Sequence, residues 1–432
     1  MKKIEGFKDL GLQLTDHMRM RKRKREKVFN SSKQRRMGSD CINGGNTKLA
    51  DLHLDIIFNI FSRLPVDTLI RLRSVCKLWN KLIRDPEFIE LHLRRLIHIP
   101  PSPVIIALAT GFLDRRRSLF LVDGIEEGDW RGREIQVEYL LDNRLDLVGS
   151  CNGLVCMAPE QNFDSIFICN PITGESLRLP ESNLADGFIS FGPRTAPRIG
   201  FGYDHSAKKY KVIRFWYNEG KLAGEIITLG ERSWRNLDIP VTNGGGWFGN
   251  YPTELFLNGF LYWIIKREGV EFRRGDEFIL AFDICREKFC ILDFPWPPLE
   301  TRYELLQLIN INGSFAIAIE NYGQSQMYFG VVISKIWRLV GSKDMGFSLE
   351  QCSSYDDISY HQAYGRLYVL LGDGTLLLKL RRWGRYVSFA SFHSKQKYLT
   401  RKICFTHKNL SVPLMSEPFL FTPSFVSLST TY

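Results

Sequence analysis

Beyond Pro100 the chain repeats itself about every fifty residues, and a period of that length leaves few folds open. Short runs of β-branched and aromatic residues follow similar turns: Asn152-Gly153 before LVCM, Lys208-Lys209 before YKVIRF, Asn258-Gly259 before FLYWII, Asn312-Gly313 before SFAIAI and Tyr364-Gly365 before RLYVLL. Counted from the residue after each turn (154, 210, 260, 314 and 366), the intervals are 56, 50, 54 and 52. Each unit has a second half that reads strand, polar turn, strand: SIFICNPITGESLRLP, EIITLGERSWRNLDIP and FILAFDICREKFCILDFP, with KIWRLV and TLLLKLRRWGRYVSF continuing less strictly. Four short strands per unit at this spacing predict the blades of an all-β propeller, each covering its faces with its neighbours. Tandem β-sandwiches are the alternative, and they do not call for such regularity. Five repeats are explicit. The upstream phrases PVIIALAT and RSLFLVDG supply strands that can complete the last blade and close the ring.

Before Pro100 the texture is different. Residues 49–91 hold more apolar side chains than so short a helical segment can bury alone. Leu54, Ile57, Phe58 and Phe61 recur at helical spacing, and Asp55 suits a helix N-terminus. Pro65 opens a second helix with Leu69 and Leu72 on one face; Ser74 can cap a third carrying Val75, Cys76, Trp79, Leu82 and Ile83, which Asp85-Pro86 stops. Three short helices with an apolar surplus point to a partner or to the rest of the chain as the cover.

These residues resemble a known family. Leu52-x-x-Asp55, Ile-Phe-Ser-Arg-Leu-Pro (60–65), the following Leu-x-Arg-Leu-Arg-Ser-Val-Cys-Lys-x-Trp (69–79) and Asp85-Pro86-x-Phe88 are similar to an F-box, the helical motif that docks on the Skp-type adaptor of cullin ubiquitin ligases. The family usually has Leu-Pro at the start, where this chain has Leu52-His53. The resemblance implies that Leu52, Ile57, Phe61, Leu64, Pro65, Leu72, Val75, Cys76 and Trp79 form or support the adaptor-binding surface. Downstream, GSCNGLVCM, IFICNPITGESLRLP, IGFGYDHSAKKYKVIRFW and NGFLYWI resemble the F-box associated domain of a large plant family, over roughly Val104 to Leu410. That resemblance implies a kelch-like propeller used for protein recognition. The implied organisation is a basic tail (1–47), a three-helix F-box (48–95), an F-box associated propeller-like domain (96–410) and a C-terminal tail (411–432).

Charge separates the tail from the body. The formal net charge is +11, but residues 1–48 hold 14 Lys and Arg against 5 Asp and Glu, so +9 lies there and +2 in the other 384 residues. A nearly neutral body argues against specific nucleic-acid binding. The block Arg21, Lys22, Arg23, Lys24, Arg25 self-repels and reads as disordered, with a nuclear-import signal and a plain solvated charge run as the two open readings. Nine scattered cysteines fit a reducing compartment, and several sit in apolar runs as small core side chains. No stretch is apolar for the roughly 18 residues a membrane span needs, so the expected location is the nucleus, the cytoplasm or both.

Motifs for chemistry are scarce. Gly244 to Gly249 matches GxGxxG, but Asn250-Tyr251-Pro252 follows, leaving no helix to receive a phosphate. The same segment reads as a flexible loop offering Trp247, Phe248 and Tyr251 to a target, or packing them back on the body. Cys151/Cys156 and Cys285/Cys290 lack the histidines of a zinc site, and eight dispersed histidines suggest no ligand set, so no cofactor, metal or catalytic residue is assigned. The expectation is a non-catalytic substrate-recognition subunit that binds a Skp-type adaptor, through it a cullin, and an unknown target protein. A non-degradative F-box scaffold and, less favoured, a propeller enzyme are the alternatives.

Overall fold

The computed structural model describes residues 54–98 and, between 104 and 428, the strands and short turns named below; residues 1–53, 429–432 and the longer connections fall outside that description. Within 54–98 there are four helices, not three: α1 (Leu54–Phe61), α2 (Val66–Arg73), α3 (Lys77–Ile83) and α4 (Pro86–His98). Pro86 ends one helix and begins the next. Asp85 caps α4, its Oδ1 accepting from the amides of Glu87 at 2.8 Å and Phe88 at 3.4 Å, and the proline sits where its missing N–H costs nothing. Ser74 does not cap α3. Its hydroxyl donates back to the Arg71 carbonyl at 2.7 Å and finishes α2, so Val75 and Cys76 lie in the turn between helices.

The chain divides into two compact units. One holds α1, α3 and most of α2; the other holds Ser62–Thr68, α4 and all the strands. In the first, Ile57 and Phe61 are buried, and Phe61 meets Trp79 edge to face with centroids 5.0 Å apart. In the second, α4 belongs to the body: Glu90 pairs with Lys208 at 2.7 Å, and the buried His92 lies beside Phe425.

Six antiparallel sheets follow one another along the second unit. Sheet 1 joins Val104–Thr110, Arg117–Asp123 and Arg131–Ile135 to the C-terminal strand Phe419–Phe421, Val104 pairing with Phe421. Sheet 2 is Leu145–Cys151, Leu154–Pro159, Phe167–Cys169 and Ser176–Arg178; sheet 3 is Arg198–Asp204, Lys209–Asn218, Lys221–Thr228 and Arg235–Leu237. In sheet 4 two separate segments, Gly246–Trp247 and Leu255–Leu257, share one edge of Phe260–Arg267, which continues to Glu277–Asp283 and Lys288–Leu292. Sheet 5 is Glu304–Ile311, Ser314–Tyr322, Val331–Ser342 and Gly346–Ser354; sheet 6 is Ala363–Leu370, Thr375–Arg382, Tyr386–His393 and Tyr398–Ile403. A two-stranded ribbon, Thr406–His407 with Leu410–Ser411, comes after them.

Local chemistry explains the regular turns. Asn152 (φ 50°) with Gly153 (φ 86°), and Asn258 (φ 51°) with Gly259 (φ 82°), supply the paired positive φ values of tight hairpins. Asn170, Asp204 and Asp283 each accept amides two and three residues on, closing their own strand connections. Between the sheets lie apolar clusters that each draw on two neighbours: Leu108, Leu121 and Leu147 with Met157; Cys156 and Ile168 with Phe201 and Val212; Phe215 with Trp263 and Phe282; Ile264 with Phe315 and Ile317. Sheets that bury their faces on one another in succession make the body propeller-like.

Two sequence expectations need correcting. The points 154, 210, 260 and 314 begin or fall one residue inside the second strands of sheets 2 to 5, but Tyr364-Gly365 lies inside the first strand of sheet 6, pairing with Arg381 and Leu380. The next true second strand starts at Thr375, so the last interval arises from a glycine within a strand rather than from a turn. The stretch 411–432 is not simply a tail, since Phe419–Phe421 completes sheet 1.

Candidate functional site

The first unit carries an unusual amount of outward-facing hydrocarbon. Among the described residues seven large apolar side chains are exposed, and five belong to this small unit: Ile56 (49%), Ile60 (49%), Ile70 (38%), Val75 (60%) and Leu78 (39%). Ile56 and Ile60 are one turn apart on α1 and share a face. Val75 is held in the turn after α2, its amide donating to the Leu72 carbonyl at 3.2 Å. A helical unit of this size cannot recruit further core of its own to cover these groups, so the surface fits a docking face.

The sequence-based candidates fall into three groups. Val75 and Pro65 are exposed, and Leu64, Leu72, Cys76 and Trp79 are half-buried. Ile57 and Phe61 are buried at 4% exposure, so they support the surface from beneath rather than forming it. Leu52 lies outside the described residues. Ile56, Ile60, Ile70 and Leu78 were missed. Along α1 both Ile56/Ile60 and Ile57/Phe61 keep helical spacing, and periodicity does not say which pair faces inward.

In the body, Gly246–Trp247 is a short strand paired with Lys266 and Arg267, which corrects the flexible-loop reading for those two residues. The segment that follows returns to the same strand at Leu255, opposite Tyr262. Phe248 and Tyr251 lie outside the described residues, as do Arg21 to Arg25.

The body's buried polar groups are mostly structural. Burial opposes ionisation of Asp204, yet hydrogen bonds from Ser206 and Lys211 outweigh it and hold the carboxyl well below the usual range. The Arg235 guanidinium holds Glu287 down to about 2, against the effect of burial and with help from Lys211. Lys211 therefore bridges Asp204 at 2.9 Å and Glu287 at 2.8 Å, tying sheet 3 to sheet 4. Glu254 is different. Burial pushes its carboxyl up to about 8, and its Oε1, sealed from solvent, has no hydrogen-bond partner among the described residues. Burial likewise pushes the Cys151 and Cys156 thiols up, which makes them poor nucleophiles. Among the described residues no three His, Cys, Asp or Glu side chains gather into a metal-binding group, and no helix is long and apolar enough to cross a membrane.

The described residues thus comprise a short helical unit rich in exposed apolar side chains and a propeller-like body. Family comparison gives the two parts their identity: residues 49–91 match the F-box domain and residues 132–331 match the F-box associated beta propeller domain. The two matches together are those of F-box proteins that carry an F-box associated domain, and the relatives that the chain resembles are plant F-box proteins. It is 28% identical over 335 residues to F-box protein CPR1 of Arabidopsis thaliana, covering 72% of this chain and 76% of that one. F-box protein DOR of the same plant is 28% identical over 294 residues, covering 63% of this chain and 67% of that one. Among solved structures, a fungal lectin with a six-bladed beta-propeller fold, Aleuria aurantia lectin, aligns over 70% of this chain and 96% of its own at 8% identity and a TM-score of 0.34.

Proposed function

We propose that this chain is a substrate-recognition subunit of an SCF-type cullin ubiquitin ligase. Its F-box holds a Skp-type adaptor, and through it a cullin, while the body, read as a kelch-like propeller, binds the target protein. The observation that carries the reading is the coincidence of the F-box match with five exposed large apolar side chains in the same short unit. Mechanistically the subunit acts by proximity. Holding a target beside a charged conjugating enzyme raises its effective concentration, and such linkage can supply several orders of magnitude in rate without any acid, base or nucleophile from this chain. Trp247, Phe248 and Tyr251 remain the proposed target contact, on a segment whose start and end are fixed to one strand of sheet 4. The basic block Arg21 to Arg25 is proposed as a nuclear-import signal, to be tested by deleting residues 1–47 and following a tagged chain in cells.

The direct test is reconstitution with adaptor, cullin, activating and conjugating enzymes, using as target a protein captured by the body alone. Ubiquitin transfer that depends on residues 49–91 is expected. Stable assembly without transfer to any captured protein would favour a non-degradative scaffold.

A further inference from the structure

Beyond the strand Phe419–Phe421, residues 422–428 form no strand with sheet 2, yet Ser424, Phe425 and Leu428 are buried there. Asn170 donates its side-chain amide to the carbonyls of Ser424 at 3.0 Å and Val426 at 2.7 Å, while its Oδ1 accepts from Ile172 and Thr173. Glu175 accepts from the Ser427 hydroxyl at 2.8 Å and the Leu428 amide at 2.6 Å. Ser424 donates to the Asn152 carbonyl at 3.1 Å, and a Cβ on Gly153 would overlap the Ser424 hydroxyl. Sheet 2 therefore reads this segment mainly through its backbone. Between the two Asn170-bound carbonyls sits Phe425, whose ring centroid is 6.4 Å from that of His92 on α4. His92 in turn stacks on Phe88 at 5.8 Å and bonds the Leu64 carbonyl at 2.9 Å.

We propose that residues 422–428 are a strap that fixes α4 and the Leu64–Pro65 turn to the body. Three elements far apart in sequence meet at one histidine, and the strap supplies one side of its cover. The strap is tied by side chains of sheet 2 rather than by a strand ladder, so it can be released without opening sheet 1, whose Val104–Ile106 pairing uses residues 419–421. The nearby Glu90–Lys208 pair is solvent-exposed and contributes little by comparison. The proposal concerns order within the body and does not need the adaptor reading to hold.

Amide hydrogen exchange on the full chain tests it, with two variants that act differently. Asn170→Asp keeps the acceptor for Ile172 and Thr173 but removes both donations to the strap; Phe425→Ala leaves the ties and removes the ring. Each should raise exchange in residues 62–68 and 86–98 by about tenfold, the scale of one or two lost buried interactions. Residues 209–218 and 260–267 of sheets 3 and 4 should keep the parent's protection. Unchanged exchange across α4 in both variants overturns the strap. A uniform rise through every sheet overturns it too, because residues 422–428 would then be ordinary core. Adaptor affinity measured on the same variants reports separately on the docking function.

Discussion

His92 on α4 donates its Nε2–H to the carbonyl oxygen of Leu64, 28 residues earlier, at 2.9 Å. This bond fixes the tautomer and joins the Leu64–Pro65 turn to the helix that packs on the body. Burial holds the imidazole below its ordinary range, with Arg95 adding to the effect and the Leu64 bond opposing it. The unfolded chain therefore binds the proton more readily, so stability is retained above about pH 6.5 and lost as pH falls below it. His92→Gln, which can still donate to Leu64 but does not titrate, should flatten part of this slope. Denaturant midpoints at pH 7.5 and 5.5 give the comparison, and equal slopes for parent and variant would remove His92 as the cause.

Glu254 works in the opposite sense. Its carboxyl is raised to about 8, so the folded chain keeps a proton that the unfolded chain releases near pH 4.5. Stability is lost between those two values as pH rises. Glu254→Gln mimics the protonated form and should stabilise the protein increasingly from pH 5 to pH 8. Thermal melts across that range are sufficient, and a constant difference with pH would contradict the assignment.

Arg214 and Glu225 face each other on adjacent strands of sheet 3, both almost fully buried, with the guanidinium carbon 4.9 Å from the Trp234 ring centroid. Removing Glu225 takes away the carboxylate that the buried Arg214 Nε bonds, so Glu225→Ala should cost about 3–5 kcal/mol. An Arg214→Met, Glu225→Leu double variant should recover most of that loss, because the desolvation penalty goes with the pair. Chemical denaturation of the three proteins checks both statements.

Much of the body can be read along the chain because its turns use residues with one dominant conformation. Asn152-Gly153 and Asn258-Gly259 accept positive φ, and Asn170, Asp204 and Asp283 close turns with their own side chains. Tyr364-Gly365 misleads for the same reason, since a glycine inside a strand looks like a turn until its pairing with Leu380 is seen. The exposed apolar face of the helical unit was only half legible. Val75 and Pro65 carry the motif, but the choice between Ile56/Ile60 and Ile57/Phe61 as the outward pair depends on tertiary packing. Pro86 has the same ambiguity, being a stop for one helix and an allowed start for the next. The contacts of residues 422–428 leave no local trace at all, because Asn170 and Ser424 are 254 residues apart.

Trp79 links the core of the first unit to its surface, meeting Phe61 edge to face while remaining half-buried itself. Trp79→Ala should weaken adaptor binding by about 2 kcal/mol or more, roughly thirtyfold. Circular dichroism must accompany the measurement, since loss of helix would assign the effect to folding. Trp79→Phe should retain most of the affinity if the aromatic contact is what matters.

The exposed apolar side chains of the F-box unit are the proposed docking face for the adaptor. Calorimetric titration of a Skp-type adaptor into the full chain tests it most directly, comparing the parent with an Ile60→Asp, Val75→Asp double variant and with Ile291→Asp as a control at an exposed apolar site on sheet 4. Both positions of the double variant are exposed, so folding should survive. Burying two unpaired carboxylates should reduce affinity by about a hundredfold or more, while the control binds like the parent. Parental affinity in a double variant with intact helices would contradict the account.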